Sequence, residues 1–245
     1  MTKTREELVF KAKLAEKAGR NDEMVAIMEK LVAALPEAQE LTVDERILLS
    51  TAYKNAISSR KASWRITSIR EQNAVRCGDG DRVTAIRHCR AKLESELSSI
   101  CEGILRLLDT RLVPSATTDD SKVFFLTMKG DYHRYLAEFK TGAPRKDAAR
   151  SALSAYKAAQ DLAAEKLAPE NTLRLGLALT ISKFHFAILE SPSMACTLAE
   201  KTFDQAKAAL EAAGEEPFED STLLMQLLCV NLGLWNSGMK DDGAD

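Results

Sequence analysis

Apolar residues recur along this chain at steps of three and four, and the alternating pattern of a half-buried strand is absent. In "LTVDERILLSTAYKNAISSRKASWRI", Val43, Ile47, Leu48, Ala52, Ala56 and Ile57 fall on one helical stripe. Thr42 stands before an acidic turn and Glu45 follows three residues later, the pattern of a capping box. The periodicity predicts nine helices, at 4–18, 21–35, 42–71, 80–109, 119–139, 145–165, 171–190, 194–212 and 218–236. The six prolines are expected between these segments, and "CGDGD" at 77–81 marks a further break. The expected fold is all-α, one array of antiparallel helices spanning 1–236. Residues 237–245, which close on "KDDGAD", offer no apolar anchor and are expected to form a mobile tail.

Composition narrows the function. With 34 Lys and Arg against 36 Asp and Glu, the chain lacks the basic excess of a general nucleic-acid or membrane-surface binder. No apolar run reaches the length of a membrane span, and "MTKTREELVF" lacks the apolar centre of a secretory leader. The five cysteines are scattered and form no CxxC pair, which fits reduced thiols rather than a disulfide framework or a zinc site. His88, His133 and His185 combine with no nucleophile elbow, HExxH, Gly-rich phosphate loop or Glu-x-x-His pair. No enzyme chemistry and no cofactor are expected.

Polar residues that interrupt apolar segments are the remaining clues. In "VFFLTMKGDYHRYLAEF", Arg134 sits in a largely apolar helix, and a guanidinium cannot shed its charge. Two readings stand open: an ion pair with Asp131 or Glu138, three and four residues away, or an anion supplied from outside. Tyr135 adds a phenol. Lys54 and Lys61 lie seven residues apart on one face of the third helix, which suits either a solvated surface or a phosphate. In "STLLMQLLCVNLGLW" only Gln226 and Asn231 are polar beyond the first turn, and in "LRLGLALTISKFHFAIL" Thr180 and Lys183 break a similar run. A carboxamide such as that of Asn231 can donate and accept at once, as gripping an extended peptide requires.

"LLSTAYKNAISSRKASWR", "MKGDYHRYLAEFKTG", "RLGLAL" and "DSTLLMQLL…NLGLW" together resemble the 14-3-3 family, in order and over nearly the whole chain. "GDYHRYLAEFKTGA" is most similar to plant members. The resemblance implies nine helices dimerising into a W, each protomer with an amphipathic groove for a phosphoserine or phosphothreonine peptide. It assigns Lys54, Lys61, Arg134 and Tyr135 to the phosphate, and Asn231, Thr180, Lys183, Leu179, Leu227, Leu234, Trp235 and Lys129 to the peptide. The implied dimer surface contains Leu14, Ala18, Arg20, Glu23, Lys92, Glu96 and Ser63, with Arg20–Glu96 and Glu23–Lys92 as inter-subunit pairs.

Several positions depart from the family pattern. Lys61 replaces an arginine, keeping charge but losing the planar fork. Thr180 replaces a backbone-clamping asparagine, Thr127 a lysine, Lys183 a valine and Ala187 a glutamate. "RDN" in the last helix becomes Cys229-Val230-Asn231, and Cys89 stands for an interface tyrosine. The implied function is a phosphopeptide-binding adaptor with a weakened groove. The alternative is a dimerising helical scaffold with reduced phosphate dependence. Implied partners are phosphorylated kinases, metabolic enzymes and transcription factors, and further 14-3-3 chains as homodimer or heterodimer. Neither direct nucleic-acid binding nor membrane insertion is expected, and the implied location is cytoplasmic and nuclear.

Overall fold

The computed structural model describes residues 2–36, 39–214 and 219–241. Among them are nine helices and no strand: α1 Thr2–Lys17, α2 Asn21–Ala34, α3 Val43–Arg76, α4 Gly80–Leu107, α5 Asp119–Phe139, α6 Gly142–Lys166, α7 Thr172–Ala187, α8 Pro192–Ala213 and α9 Glu219–Asp241. Their packing divides the chain into two compact units, Met1–Ser115 with α1–α4 and Ala116–Asp245 with α5–α9. Within each unit every helix packs on its neighbour in sequence, joined by short connectors.

In the first unit the capping box at Thr42 forms: its hydroxyl accepts from the Glu45 N–H at 3.3 Å, and the Glu45 carboxylate accepts from the Thr42 N–H at 2.8 Å. The same buried carboxylate takes a 2.6 Å bond from Arg5 Nε, tying α1 to the start of α3. Burial opposes its charge, but the bonds from Arg5 and Thr42 prevail and hold Glu45 below the usual carboxylate range. Met24, Met28, Leu49, Ala52, Tyr53, Leu97 and Ile104 form the core, and the Tyr53 hydroxyl reaches Glu29 at 2.6 Å.

Helix α3 extends to Arg76, five residues beyond the expected 71. Helix α4 does not stop at 109. It continues through a π-helical segment, Leu108–Leu112, and a last turn, Val113–Ser115. Pro114 explains the wider turn, since it lacks an N–H and its ring collides with the carbonyl four residues back. Not all prolines therefore separate helices. Pro144 occupies the first turn of α6, which begins at Gly142, and Pro192 opens α8, positions where no intrahelical N–H is required. Helix α7 ends at Ala187 rather than 190 because the chain turns there, with Glu190 at φ 51°.

The second unit has two core clusters that share α7. Val123, Ala152, Tyr156, Ala159, Ala163, Leu177, Ile181 and Phe184 join α5, α6 and α7. Leu175, Leu179, Ala195, Ala199, Leu228 and Trp235 join α7, α8 and α9. Helix α9 carries part of the expected tail as helix to Asp241, and residues 242–245 lie outside the described residues.

Candidate functional site

Arg134 lies on α5 with 20% of its side chain exposed. Its Nη1 donates to Glu138 at 2.7 Å, its Nη2 to Asp131 at 3.2 Å, and its Nε to the Tyr156 hydroxyl at 3.2 Å. The guanidinium also lies over the Tyr135 ring, 4.3 Å from the centroid. Burial works against its charge, but the Asp131 and Glu138 carboxylates outweigh that and raise its pKa above the ordinary arginine value. At least three of its five N–H donors are thus committed within the unit. The internal ion pair predicted as one of two readings exists, and it engages both carboxylates.

This arrangement depends on a close helix contact. On α6 the buried positions are Ala148, Ala152, Ala155, Tyr156, Ala159 and Ala163, so α5 meets a surface of small side chains with one aromatic ring. The ring fits because residue 130 is glycine: a Cβ there would stand 2.3 Å from Tyr156 Cδ1 and Cε1. Tyr156 is fully buried, packs edge-on to Phe184 at 5.4 Å, and donates its hydroxyl hydrogen to Asp131 at 2.8 Å. Burial raises the Tyr135 phenol above its usual pKa and the Tyr156 phenol well above it, so both stay protonated near neutrality.

Helices α7 and α9 present an apolar face in the same unit. Leu223, Leu227, Val230 and Leu234 are exposed on α9, Leu234 to 66%, and Phe186 on α7 stacks against Trp235 at 5.3 Å. Leu179 and Trp235 are only 6% exposed and support this face from within the core. Thr180 is half-buried, while Lys183 and Ala187 are exposed. Asn231 donates one amide hydrogen to the Leu227 carbonyl at 2.6 Å, and its carbonyl oxygen and second N–H are further bonding capacity. Thr127 directs its hydroxyl to the Val123 carbonyl at 2.7 Å, and Lys129 is half-buried.

In the first unit, Lys54 is exposed and Lys61 half-buried on α3. Their neighbour Arg60 is engaged internally, with Asp22 at 3.0 Å and Glu96 at 2.9 Å. Arg20 pairs with Glu23 at 2.6 Å, so both expected partner-facing charges have local counter-ions within one chain, as Glu96 has in Arg60. Leu14, Ala18, Lys92 and Ser63 are exposed, and the Ser63 hydroxyl donates to the Ser59 carbonyl. Exposed Phe10, Leu14 and Ile47 line an open cavity of about 490 Å³ between α1 and α3.

The family model described as "14-3-3 protein" matches residues 11–236. The chain belongs to the 14-3-3 family. It is 61% identical to "14-3-3 protein 6" of Solanum lycopersicum over 245 residues, all of this chain and 95% of that protein. It is 60% identical to "14-3-3-like protein GF14 omega" of Arabidopsis thaliana over 245 residues, again the whole chain and 94% of the relative. To "14-3-3-like protein B" of Nicotiana tabacum it is 61% identical over 241 residues, 98% of this chain and 94% of that one.

Within this 14-3-3 chain, two residues escaped the sequence reading. Tyr156 gave one signal, as a lone aromatic in the alanine-rich segment "SALSAYKAAQ". Gly130 gave none, because a helical glycine reveals its need only when the opposing ring is placed. Among the described residues there is no cluster of His, Cys, Asp or Glu arranged to hold a metal, and no helix long and apolar enough to cross a membrane.

Proposed function

We propose that this 14-3-3 chain is an adaptor that binds phosphoserine or phosphothreonine segments of client proteins. The observation that carries the reading is Arg134: a guanidinium fixed in orientation beside Tyr135, on a unit that also exposes an apolar face along α7 and α9. Arg134 would take the phosphate with its remaining N–H donors, and the Tyr135 phenol, kept protonated, would donate a further bond. By the family pattern Lys54 and Lys61 would be further phosphate cations, and Asn231 would be the backbone grip. Leu227, Leu234 and the edge of Trp235 would take apolar client residues, with Leu179 behind them, while Thr180, Lys183 and Lys129 would face its flanks.

The dimer belongs to the same proposal. Exposed Leu14, Phe10 and Ile47 are the apolar surface that supports it. On dimerisation Arg20 and Glu23 would exchange their local pair for Glu96 and Lys92 of the partner chain. Exposed pairs contribute only about 0.2–1 kcal/mol each, so apolar burial has to carry the interface. Leu14→Glu is expected to yield monomers in sedimentation at micromolar concentration, and Glu96→Lys to weaken association modestly. Wild-type protein sedimenting as a monomer would sink the dimer. Clients would be phosphorylated signalling, metabolic and transcriptional proteins, met in cytoplasm and nucleus.

One observation favours a second reading, a helical scaffold with little phosphate dependence. Asp131 and Glu138 already neutralise Arg134, so the arginine has no unpaired charge to satisfy. Lys61 and Thr180 weaken the same set further. Binding of a labelled phosphoserine peptide, compared with its unphosphorylated twin, separates the two: a preference of tenfold or more supports the adaptor, and equal affinities support the scaffold.

A further inference from the structure

We propose that Tyr156, buried on α6, is the positioning residue that aims Arg134 at the client phosphate; this rests on the phosphopeptide reading above. A buried ring among alanines could serve packing alone, and phenylalanine would do that equally well. The hydroxyl does more. It has a single hydrogen, which goes to Asp131 at 2.8 Å and thereby turns its lone pairs toward Arg134 Nε at 3.2 Å. Asp131 Oδ1 in turn accepts from Arg134 Nη2 at 3.2 Å. Arginine, phenol and carboxylate close a ring of three hydrogen bonds, and Glu138 holds Nη1 on the other side at 2.7 Å.

Two consequences follow from this ring. The guanidinium plane is set before any ligand arrives, so less rotamer entropy is lost on binding. The phenol also occupies part of the Asp131 oxygen's accepting capacity, which tempers that carboxylate's hold on Nη2. With the hydroxyl gone, Asp131 draws Arg134 more strongly to itself, and an incoming dianion competes for a less available fork. Gly130 is part of the device, because only a residue without Cβ lets the Tyr156 ring approach near enough for its hydroxyl to reach both partners. Tyr156 itself, fully buried, never meets the client.

The test uses the full chain, a fluorescein-labelled phosphoserine peptide and its unphosphorylated twin. Tyr156→Phe keeps the ring and its packing on Phe184, so its melting temperature is expected near that of the wild type. Its affinity for the phosphopeptide is expected to fall about five- to tenfold, the scale of one hydrogen bond to a charged group. In an Arg134→Lys background, which has no Nε–H to orient, the same change is expected to alter affinity less than twofold. Equal losses in both backgrounds, or no loss in either, overturn the proposal. A second readout needs no ligand: the Arg134 Nε–H proton, observed by NMR, is expected to exchange slowly in the wild type and at least tenfold faster in Tyr156→Phe. Equal exchange in the two proteins also overturns it. A wild type that binds phosphorylated and plain peptides alike contradicts the adaptor reading instead, with the exchange result still deciding whether Tyr156 holds Arg134.

Discussion

Arg134 on α5 and Lys183 on α7 are two cations of one compact unit, held in opposite ways. Arg134 is one-fifth exposed and fixed by Asp131, Glu138 and Tyr156. Lys183 is exposed and has no ion pair among the described residues; no carboxylate lies between Thr172 and Ala187 on its helix. A fixed guanidinium can favour the geometry of a ligand, whereas an ammonium on a flexible stem contributes charge that salt screens. The difference separates two roles within the proposed site. Arg134 is suited to distinguish phosphate from other anions, and Lys183 to favour any acidic residue nearby.

Breaking the fixed side of the comparison should have the largest effect. Arg134→Ala removes charge and fork together and leaves Asp131 and Glu138 facing each other. We expect phosphopeptide binding to weaken by about 2–3 kcal/mol, in line with bonds to charged groups, which calorimetry would register as a loss of detectable heat at micromolar concentration. Gly130→Ala acts on the same network through sterics. With the Tyr156 ring 2.3 Å from the new Cβ, the helices must part or the ring must move, and overpacking of this kind costs about 1–3 kcal/mol of stability. A lowered midpoint of urea unfolding with unchanged slope checks it; an unchanged midpoint would show that α5 and α6 separate at little cost.

Restoring the fork at a second cation sharpens the contrast. Lys61→Arg should tighten phosphopeptide binding by about 1 kcal/mol, since planar geometry is added without new charge. An unchanged Kd would mean that charge alone matters at that position. The smallest effect belongs to Lys183. Peptides with a glutamate beside the apolar contact residues should be favoured over alanine versions by about 0.5 kcal/mol at low salt. Lys183→Val or 0.5 M salt should erase that preference while leaving the phosphate preference in place. A preference insensitive to both would assign it elsewhere.

The helical fold was legible because its signals are local. The three-and-four spacing, the capping box at Thr42 and the breaks at Asn21 and Gly80 all act within a few residues. Among the ends that the periodicity misplaced are two where a proline is absorbed instead of avoided, at Pro114 and Pro144. At the candidate site, Arg134 was conspicuous as a charge in an apolar segment, and both carboxylates that pair with it lie within one turn. Tyr156 comes from another helix, 22 residues away, and its hydroxyl's partners depend on how α5 and α6 approach. That approach is set by Gly130 and the alanines of α6, whose small size in a sequence looks like ordinary helix-forming composition.

The central claim is that this 14-3-3 chain recognises phosphate through a pre-aimed Arg134. Its most direct test is anisotropy titration of one labelled peptide, with and without its phosphoserine, against the wild type and Arg134→Ala. The account predicts that the wild type prefers the phosphorylated peptide at least tenfold and that most of this preference is lost in Arg134→Ala, while binding of the plain peptide is unchanged. Equal affinities in the wild type, or a phosphate preference undiminished by the loss of Arg134, would contradict it.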